Sequence, residues 1–393
     1  MGVDITISTR QGACFAGDTI EGTVHVNVSS KNAEGSSANE LVLRLVGEAK
    51  TCVMYDTTNM AHNGNNAQSF NHREMLREKK DFLSYEVNLA AFGGKATPGS
   101  HNFPFSVMLP PGLPPSMKED GSQGGSCEIS YRFEARLHRP GLLHLDAKGK
   151  AKLEVLSSPK EAGPASPVLV GPDTQTVKKC CCLKRGSMSI GFQADHSAAG
   201  LNEPVGLTVV ARNDSAAEVK NMLVEIKQVC TWFARGYKES KSRTIASVVV
   251  SGTQLRAAEV GNQRGQSSAD IADTARADLQ EQLGAGAGTR YELLVPGNCL
   301  LTLQTETIEV KHTLSVVLKT PHCISSPDVW MPLLVHGGTT GSTEVVPGEG
   351  SFVPHSGEAV PFATGLDADG SVRPVAVPQS AVTMTYTSEM PKF

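Results

Sequence analysis

Three consecutive cysteines, Cys180, Cys181 and Cys182, are the residues of this 393-residue chain best suited to chemistry. Lys178–Lys179 precede them and Lys184–Arg185 follow, and neighbouring positive charge favours the thiolate form. Thiols in a basic setting suit reversible S-acylation, which we predict here. Because adjacent side chains diverge, the triplet alone makes a poor tetrahedral metal site. A redox or metal centre and simple burial in a strand are the alternatives.

The N-terminus offers a second modification site. Met1-Gly2, with Thr6, matches the M-G-x-x-x-[ST] pattern that predicts N-myristoylation of Gly2. The alternative is that these residues only lead into the first strand. With both lipid modifications, attachment to a membrane would be stable, because two anchors are needed for that.

Motifs for catalysis are missing from the sequence. It contains no G-x-S-x-G elbow, no G-x-x-x-x-G-K-[ST] loop, no C-x-x-C pair and no H-E-x-x-H. His138 and His144 flank a Pro-Gly turn, but two histidines lack the further ligands of a closed zinc site. We therefore expect no enzyme, no metal and no cofactor.

The overall composition narrows the class of protein. Lysine and arginine number 36, aspartate and glutamate 40, and the net charge is −4, which disfavours nucleic acid as a partner. The first residues lack the basic region and the long apolar run that form a signal peptide. No stretch reaches the roughly 18 apolar residues that a membrane span needs. Nine cysteines, an odd number, do not suggest a disulfide framework. We expect a cytoplasmic protein.

Short segments with a period of two dominate the chain, which is typical of an all-β fold. The clearest is 127–137, where Cys127, Ile129, Tyr131, Phe133, Ala135 and Leu137 share one face. Phe103, Phe105, Val107 and Leu109 alternate likewise before the prolines of 110–115, and Pro104 marks an edge strand. The charged run 73–81 is predicted to be a solvated turn or a short helix.

Composition also divides the chain. We predict one sandwich at 1–157, a linker at 158–179, a second sandwich at 180–336 and a disordered tail at 337–393. An insertion at about 253–289 interrupts the second sandwich. Within it Ile271, Ala275, Leu279 and Leu283 recur every four residues, which predicts a short helix.

A weak internal repeat supports two similar domains. Gly17–Ile20 and Asn202–Val205 each precede a strand, at a spacing of 185 residues, as expected for duplicated sandwiches. The segment Thr231–Tyr237 contains Trp232 and Phe233 beside basic residues. It is either an exposed aromatic-basic patch or, as we favour, a strand end with an outward loop.

Several motifs resemble those of one family. Residues 99–116 read G-x-H-x-F-P-F and then L-P-x-x-L-P-P-S, which is similar to the arrestin N-terminal domain, in particular the arrestin-domain-containing (α-arrestin) branch. The cysteine-rich entry at 176–190 and the closing Met331–Val335 resemble the C-domain of the same branch. Asn202 departs from the glycine usual at its position, although asparagine also tolerates a left-handed backbone.

This resemblance implies two tandem Ig-like β-sandwich (arrestin-type) domains joined by a hinge, with concave faces that bind membrane-protein cargo. It implies an adaptor in endocytosis, endosomal sorting and protein transport, often one that recruits a HECT-type ubiquitin ligase through P-P-x-Y motifs. The sequence contains no P-P-x-Y. The alternative within the same fold is a retromer-like coat subunit.

Overall fold

The computed structural model describes residues 2–29, 36–63, 66–140, 146–157, 166–179, 183–215, 217–252, 268–321, 325–337, 362–366 and 372–376. Among these residues, nine strands form the first sandwich: β1 (Val3–Thr9), β2 (Ala13–Phe15), β3 (Thr19–Val28), β4 (Ser36–Asn63), β5 (Asn66–Ala96), β6 (Gly99–Met108), β7 (Met117–Asp120), β8 (Ser126–His138) and β9 (Ala147–Leu156). A sheet with the order β1-β3-β6 faces a larger sheet with the order β2-β9-β8-β4-β5, and β7 pairs with β8.

The second sandwich follows the same plan. Its described elements are β10 (Val168–Lys179), β11 (Leu183–Ala194), β12 (Ala198–Gly200), β13 (Pro204–Ser215), β14 (Asn221–Ala234), β15 (Tyr237–Ser251), α1 (Ser268–Gly284), β16 (Thr289–Leu294), β17 (Leu303–Gln304), β18 (Ile308–Lys319) and β19 (Asp328–His336). One sheet has the order β10-β11-β13-β16 and the other β12-β19-β18-β14-β15, with β17 on β18. The predicted fold class, two tandem Ig-like sandwiches, is confirmed.

The apolar alternation read from the sequence lines the core between the sheets. All six predicted inward side chains of β8 are buried, from Cys127 to Leu137. β6 pairs only with β3 among the described strands, so Pro104 lies on an edge strand as predicted. Leu109 is buried after it, and Leu113 packs against the same core.

The charged run 73–81 is not a turn or a helix, and that prediction is wrong. It belongs to β5, which pairs with β4 along a long hairpin. Opposite charges lie across the two strands, with Arg73 Nε 2.9 Å from Asp56 Oδ1. Cross-strand pairs of this kind stabilise a hairpin that has little apolar alternation.

The predicted linker is also partly wrong. Residues 168–179 form β10, which pairs with β11 in the second sandwich. A register shift between Val170 and Asp173, at Gly171-Pro172, breaks the alternation that would have identified the strand. The other proposed domain boundaries stay a prediction.

The helix predicted in the insertion is confirmed as α1, with Ala275, Leu279 and Leu283 buried. In the predicted tail, β20 (Phe362–Leu366) pairs with β21 (Val372–Ala376). The rest of the chain beyond Gly337 lies outside the described residues, and disorder there stays a prediction.

Candidate functional site at the domain junction

The β14–β15 hairpin carries side chains of the second sandwich into the first. Its two turn residues, Arg235 and Gly236, have φ values of 50° and 85°. Two left-handed residues in succession suit a tight two-residue hairpin turn. The turn keeps Trp232 and Glu239 in cross-strand register at the end of the hairpin.

Trp232 is the central residue of the junction. It is 0% exposed, and its Nε1 donates a hydrogen bond to the carbonyl of Cys52, 2.9 Å away on β4. Thr51 Oγ1 donates to the Phe233 carbonyl at 2.7 Å. These bonds satisfy polar groups that the junction removes from water. The segment Thr231–Tyr237 is therefore neither an exposed patch nor only an outward loop.

The apolar core of the first sandwich continues across the junction. Side chains of β14, β17 and β18 belong to the same buried cluster as the first core; they are Cys230, Trp232, Ala234, Leu303, Ile308 and Val310. The buried residues of the second core instead all come from 177–335. The first sandwich is thus completed by the second.

Two free thiols meet in this shared core. The Sγ atoms of Cys127 and Cys230 lie 3.7 Å apart, and both residues are buried. The Cys230 thiol and burial together raise the pKa of Cys127. A protonated, buried thiol packs as a small apolar side chain.

Around this apolar centre runs a polar rim. The Glu239 carboxylate lies against Gly121 and Gly125, where an added Cβ would come within 2.1 and 1.9 Å of its oxygens. Its Oε2 accepts a hydrogen bond from the Met54 N–H at 3.3 Å. Lys241 Nζ lies 2.5 Å from Glu119 Oε1. Glycines at both positions therefore make room for an acidic side chain from the other domain.

A cleft of about 340 Å³ opens beside the rim. Four basic side chains of the first sandwich line it, Lys50, Arg77, Lys79 and Lys118, together with Glu78 and Glu128. A mixed charged lining of this kind can accept a polar peptide segment.

A buried carboxylate organises the outer face of the larger sheet of the first sandwich. The Glu48 side chain is 3% exposed and pairs with Lys50, with Lys79 at 3.1 Å and with Arg132 at 2.8 Å. Burial alone would raise the pKa of Glu48, but hydrogen bonds from Lys50, Arg132 and Lys79 outweigh it and lower that pKa to about 2. Glu48 is thus a fixed anion that orders three cations on this face.

The second sandwich contains a neutral polar row in its interior. Gln228 on β14 and His312 on β18 are register partners and both are buried. His312 Nδ1 lies 2.9 Å from Thr302 Oγ1, and Gln228 Oε1 accepts from the Leu300 N–H at 2.9 Å. Burial, with the nearby charge of Arg243, lowers the pKa of His312 to about 4. The row lies between Ile226 in the second core and Cys230 in the shared core.

The modification sites predicted from sequence lie apart from the junction. Cys180, Cys181 and Cys182 fall outside the described residues, so S-acylation stays a prediction. Gly2 is described, and its carbonyl accepts a hydrogen bond from the Ser29 N–H at 2.6 Å. It therefore leads into β1, which leaves myristoylation a prediction as well.

The histidines considered for zinc are likewise separate. His138 Nδ1 lies 3.2 Å from Asp146 Oδ2, and His144 is outside the described residues. Among the residues that are described, no group of three or more His, Cys, Asp or Glu could hold a metal ion. No helix in the described part of the chain is long and apolar enough to cross a membrane.

The first sandwich matches a known protein family. Residues 3–159 match the family model described as arrestin (or S-antigen), N-terminal domain. This stretch covers β1 to β9, the whole described first sandwich.

Proposed function

We propose that this arrestin-domain-containing protein is an adaptor that binds membrane-protein cargo during endocytosis, endosomal sorting and protein transport. The observation that carries the proposal is the match of the first sandwich to the arrestin N-terminal domain. Adaptors of this family are generally not enzymes, and we propose the same for this chain.

The junction supports the proposal. A shared core and a polar rim hold the two sandwiches together, so their outer faces can act as one extended surface. On the first sandwich that surface is charged, since Lys148, Lys150 and Lys152 are exposed along β9 beside Arg132 and Arg136 on β8. Cytoplasmic segments of transmembrane cargo, which are polar and extended, are suitable partners for such a face.

A retromer-like coat subunit of the same fold is the second candidate. Such a subunit would associate permanently with its coat complex, whereas an adaptor would depend on cargo. A link between cargo and ubiquitination is part of the proposal too. Because the sequence has no P-P-x-Y motif, we propose that any ubiquitin ligase is recruited by another sequence or through a partner.

Peripheral attachment to the plasma membrane or endosomes would follow from lipidation. We propose Cys180, Cys181 and Cys182 as S-acylation sites and Gly2 as a myristoylation site. Thioester-specific capture should retrieve the wild-type chain and lose the variant Cys180→Ser/Cys181→Ser/Cys182→Ser. Cys299→Ser, at a buried thiol of the second sandwich, is the control that should be retained.

Affinity capture of the full chain after crosslinking in cells tests the adaptor role. We expect transmembrane proteins among the partners, fewer of them with Lys148→Glu/Lys152→Glu, and no loss with Lys220→Glu/Lys238→Glu. The second pair makes the same charge change at exposed positions of the second sandwich.

Two results would decide against this function. Partners without any transmembrane protein, coat component or ubiquitin machinery would reject it. Stoichiometric copurification with a coat complex, independent of cargo, would favour the retromer-like alternative.

A further inference from the structure

The helix α1 covers the outer face of the smaller sheet of the second sandwich. It lies against β10, β11 and β13. Ser189 on β11 shows that the cover is close. Its neighbours Met188 and Ile190 point into the second core, so Ser189 points to the opposite face, yet it is 0% exposed. The face beneath the helix is thus sealed from water by α1.

The attachment of the helix is narrow. From 273 to 284 the buried side chains are Ala275, Leu279 and Leu283, and the other side chains of this stretch are exposed. Leu279 and Leu283 pack on Val210 of β13 in a small cluster that is separate from both large cores. Removing the helix would therefore leave the two cores intact.

An ion pair also joins the helix to the sheet. Arg212 Nη1 on β13 lies 3.1 Å from Asp278 Oδ2 on α1. Beside this ion pair, the sheet surface under the helix carries small side chains, and the hydroxyls of Thr174 and Ser189 lie 2.7 Å apart. The sheet surface under α1 thus suits a helix with one row of apolar side chains and an acidic residue at the edge of that row.

The C-terminal end of the helix is capped by backbone hydrogen bonds from the residues that follow it. The Ala287 N–H donates to the Gln282 carbonyl at 2.8 Å and the Gly286 N–H to the Leu283 carbonyl at 3.0 Å, with Gly286 at φ 67°. This is the Schellman arrangement, which closes a helix without help from the sheet. Between 273 and 284, two leucines and one alanine are the buried side chains, which is little burial for about three turns of helix, so docking and release of this stretch are close in free energy.

We propose that α1 is a displaceable cover, and that its seat on β10, β11 and β13 binds an amphipathic helix of a partner protein. The partner helix would carry a small residue and two leucines at positions i, i+4 and i+8, with an acidic residue just before the first leucine to meet Arg212. This is the pattern of α1 itself, from Ala275 to Leu283. The inference is independent of the adaptor function proposed above.

A labelled peptide with the sequence of residues 268–288 tests the seat in the full chain by fluorescence anisotropy. In Leu279→Asp/Leu283→Asp the chain's own helix cannot dock, and the peptide should bind at least about tenfold more tightly than to the wild type. Gln280→Asp/Gln282→Asp adds the same charge on the exposed side of the helix and should behave as the wild type. Adding Val210→Asp to the undocked variant should abolish binding.

The proposal is overturned if the undocked variant binds the peptide no better than the Gln280/Gln282 control, or if Val210→Asp leaves binding unchanged. Hydrogen exchange of the wild-type chain tests it without any substitution. Amides of α1 should exchange at least about tenfold faster than those of β14, because the helix opens alone. Equal protection of the two elements would reject a displaceable cover.

Discussion

The two sandwiches use the same turn chemistry and differ in how they bury polar groups. Gly17 and Asn202 occupy equivalent turns with φ values of 89° and 60°. The next residue in each, Asp18 or Glu203, accepts a hydrogen bond from the backbone N–H three residues earlier, at 2.9 and 2.7 Å. The weak repeat in the sequence therefore corresponds to a turn of the same kind in both sandwiches.

One buried polar group of each sandwich shows a contrast in charge. The first sandwich holds the ionised Glu48 under three cations on an outer face, and the second holds the neutral His312 beside Gln228 inside. The first arrangement favours the charged form of its acid and the second the uncharged form of its base. The contrast teaches that one fold can place a polar group either as a surface organiser or as a boundary between two cores.

The largest effect should come from the residue that the two sandwiches share. Trp232→Ala should lower the free energy of unfolding by about 3–5 kcal/mol, because it leaves a large cavity and an unpaired carbonyl. Hydrogen exchange should rise in β4 and β8 of the first sandwich, although the substitution is in the second. Trp330, 60% exposed, is the control, and Trp330→Ala should change stability by less than about 0.5 kcal/mol. Equal effects of the two substitutions would break the shared-core interpretation.

Glu48→Gln sharpens the charge contrast on the side of the first sandwich. It should cost roughly 1–3 kcal/mol in urea unfolding at pH 7, because three cations lose a buried carboxylate, although Lys79 keeps Asp81 and Arg132 keeps Glu134. Since the pKa of Glu48 is lowered from 4.5 to about 2, its stabilisation is complete above about pH 4.5 and is lost as the pH falls towards 2. The variant should lack this acid-sensitive part, whereas Glu86→Gln, exposed on β5, should retain it.

His312→Gln tests the other half of the contrast. Because the pKa of His312 is lowered from 6.5 to about 4, the unfolded chain takes up a proton first as the pH falls. Stability of the second sandwich should be complete above about pH 6.5 and decline towards pH 4, with a loss of about 2 kcal/mol at pH 5. Urea unfolding at pH 7 and pH 5 measures this, with His25→Gln on the first sandwich as control. A decline that survives in His312→Gln would contradict the assignment.

Gly121→Ala tests the rim between the sandwiches. Its Cβ would come within 2.1 Å of Glu239 Oε1, and we expect a loss of about 1 kcal/mol. Glu239→Ala should relieve part of that loss, so a double-mutant cycle should give a coupling of at least about 0.5 kcal/mol. Additive effects would mean that Gly121 does not make room for the Glu239 carboxylate.

The smallest effect should come from Lys80, which pairs with Glu306 across the junction. Both side chains are largely exposed, so Lys80→Ala should cost under about 0.5 kcal/mol and less at high salt. A larger loss of stability in thermal unfolding would mean that the charged rim stabilises the junction more than its apolar centre does.

Much of this fold could be predicted from local patterns. The alternation of β8 and the four-residue spacing of Ala275, Leu279 and Leu283 each depend on neighbours in the chain, and both were correct. The strand segment 73–81 of β5 was missed because it is charged and lacks the apolar period that indicates a strand.

The candidate site was missed for a different reason. Trp232 donates its hydrogen bond to the carbonyl of Cys52, 180 residues away, and no local pattern shows such a contact. The pairing of β4 with β5 shifts register between Gly47 and Glu48. The sequence around Glu48 does not show this shift, so it gives no sign that Glu48 is buried. The usable signal was the length of β14, whose apolar alternation continues to Ala234, beyond the second core.

The shared core also has a consequence for synthesis on the ribosome. The last strand of the first sandwich, β9, ends at Leu156, but the core of this sandwich includes side chains as late as Val310. At about 5–20 residues per second, the roughly 150 intervening residues take about 8–30 s to add. During that interval the nascent first sandwich exposes the apolar surface that Trp232 will cover, which makes it a natural client for a chaperone that acts during translation.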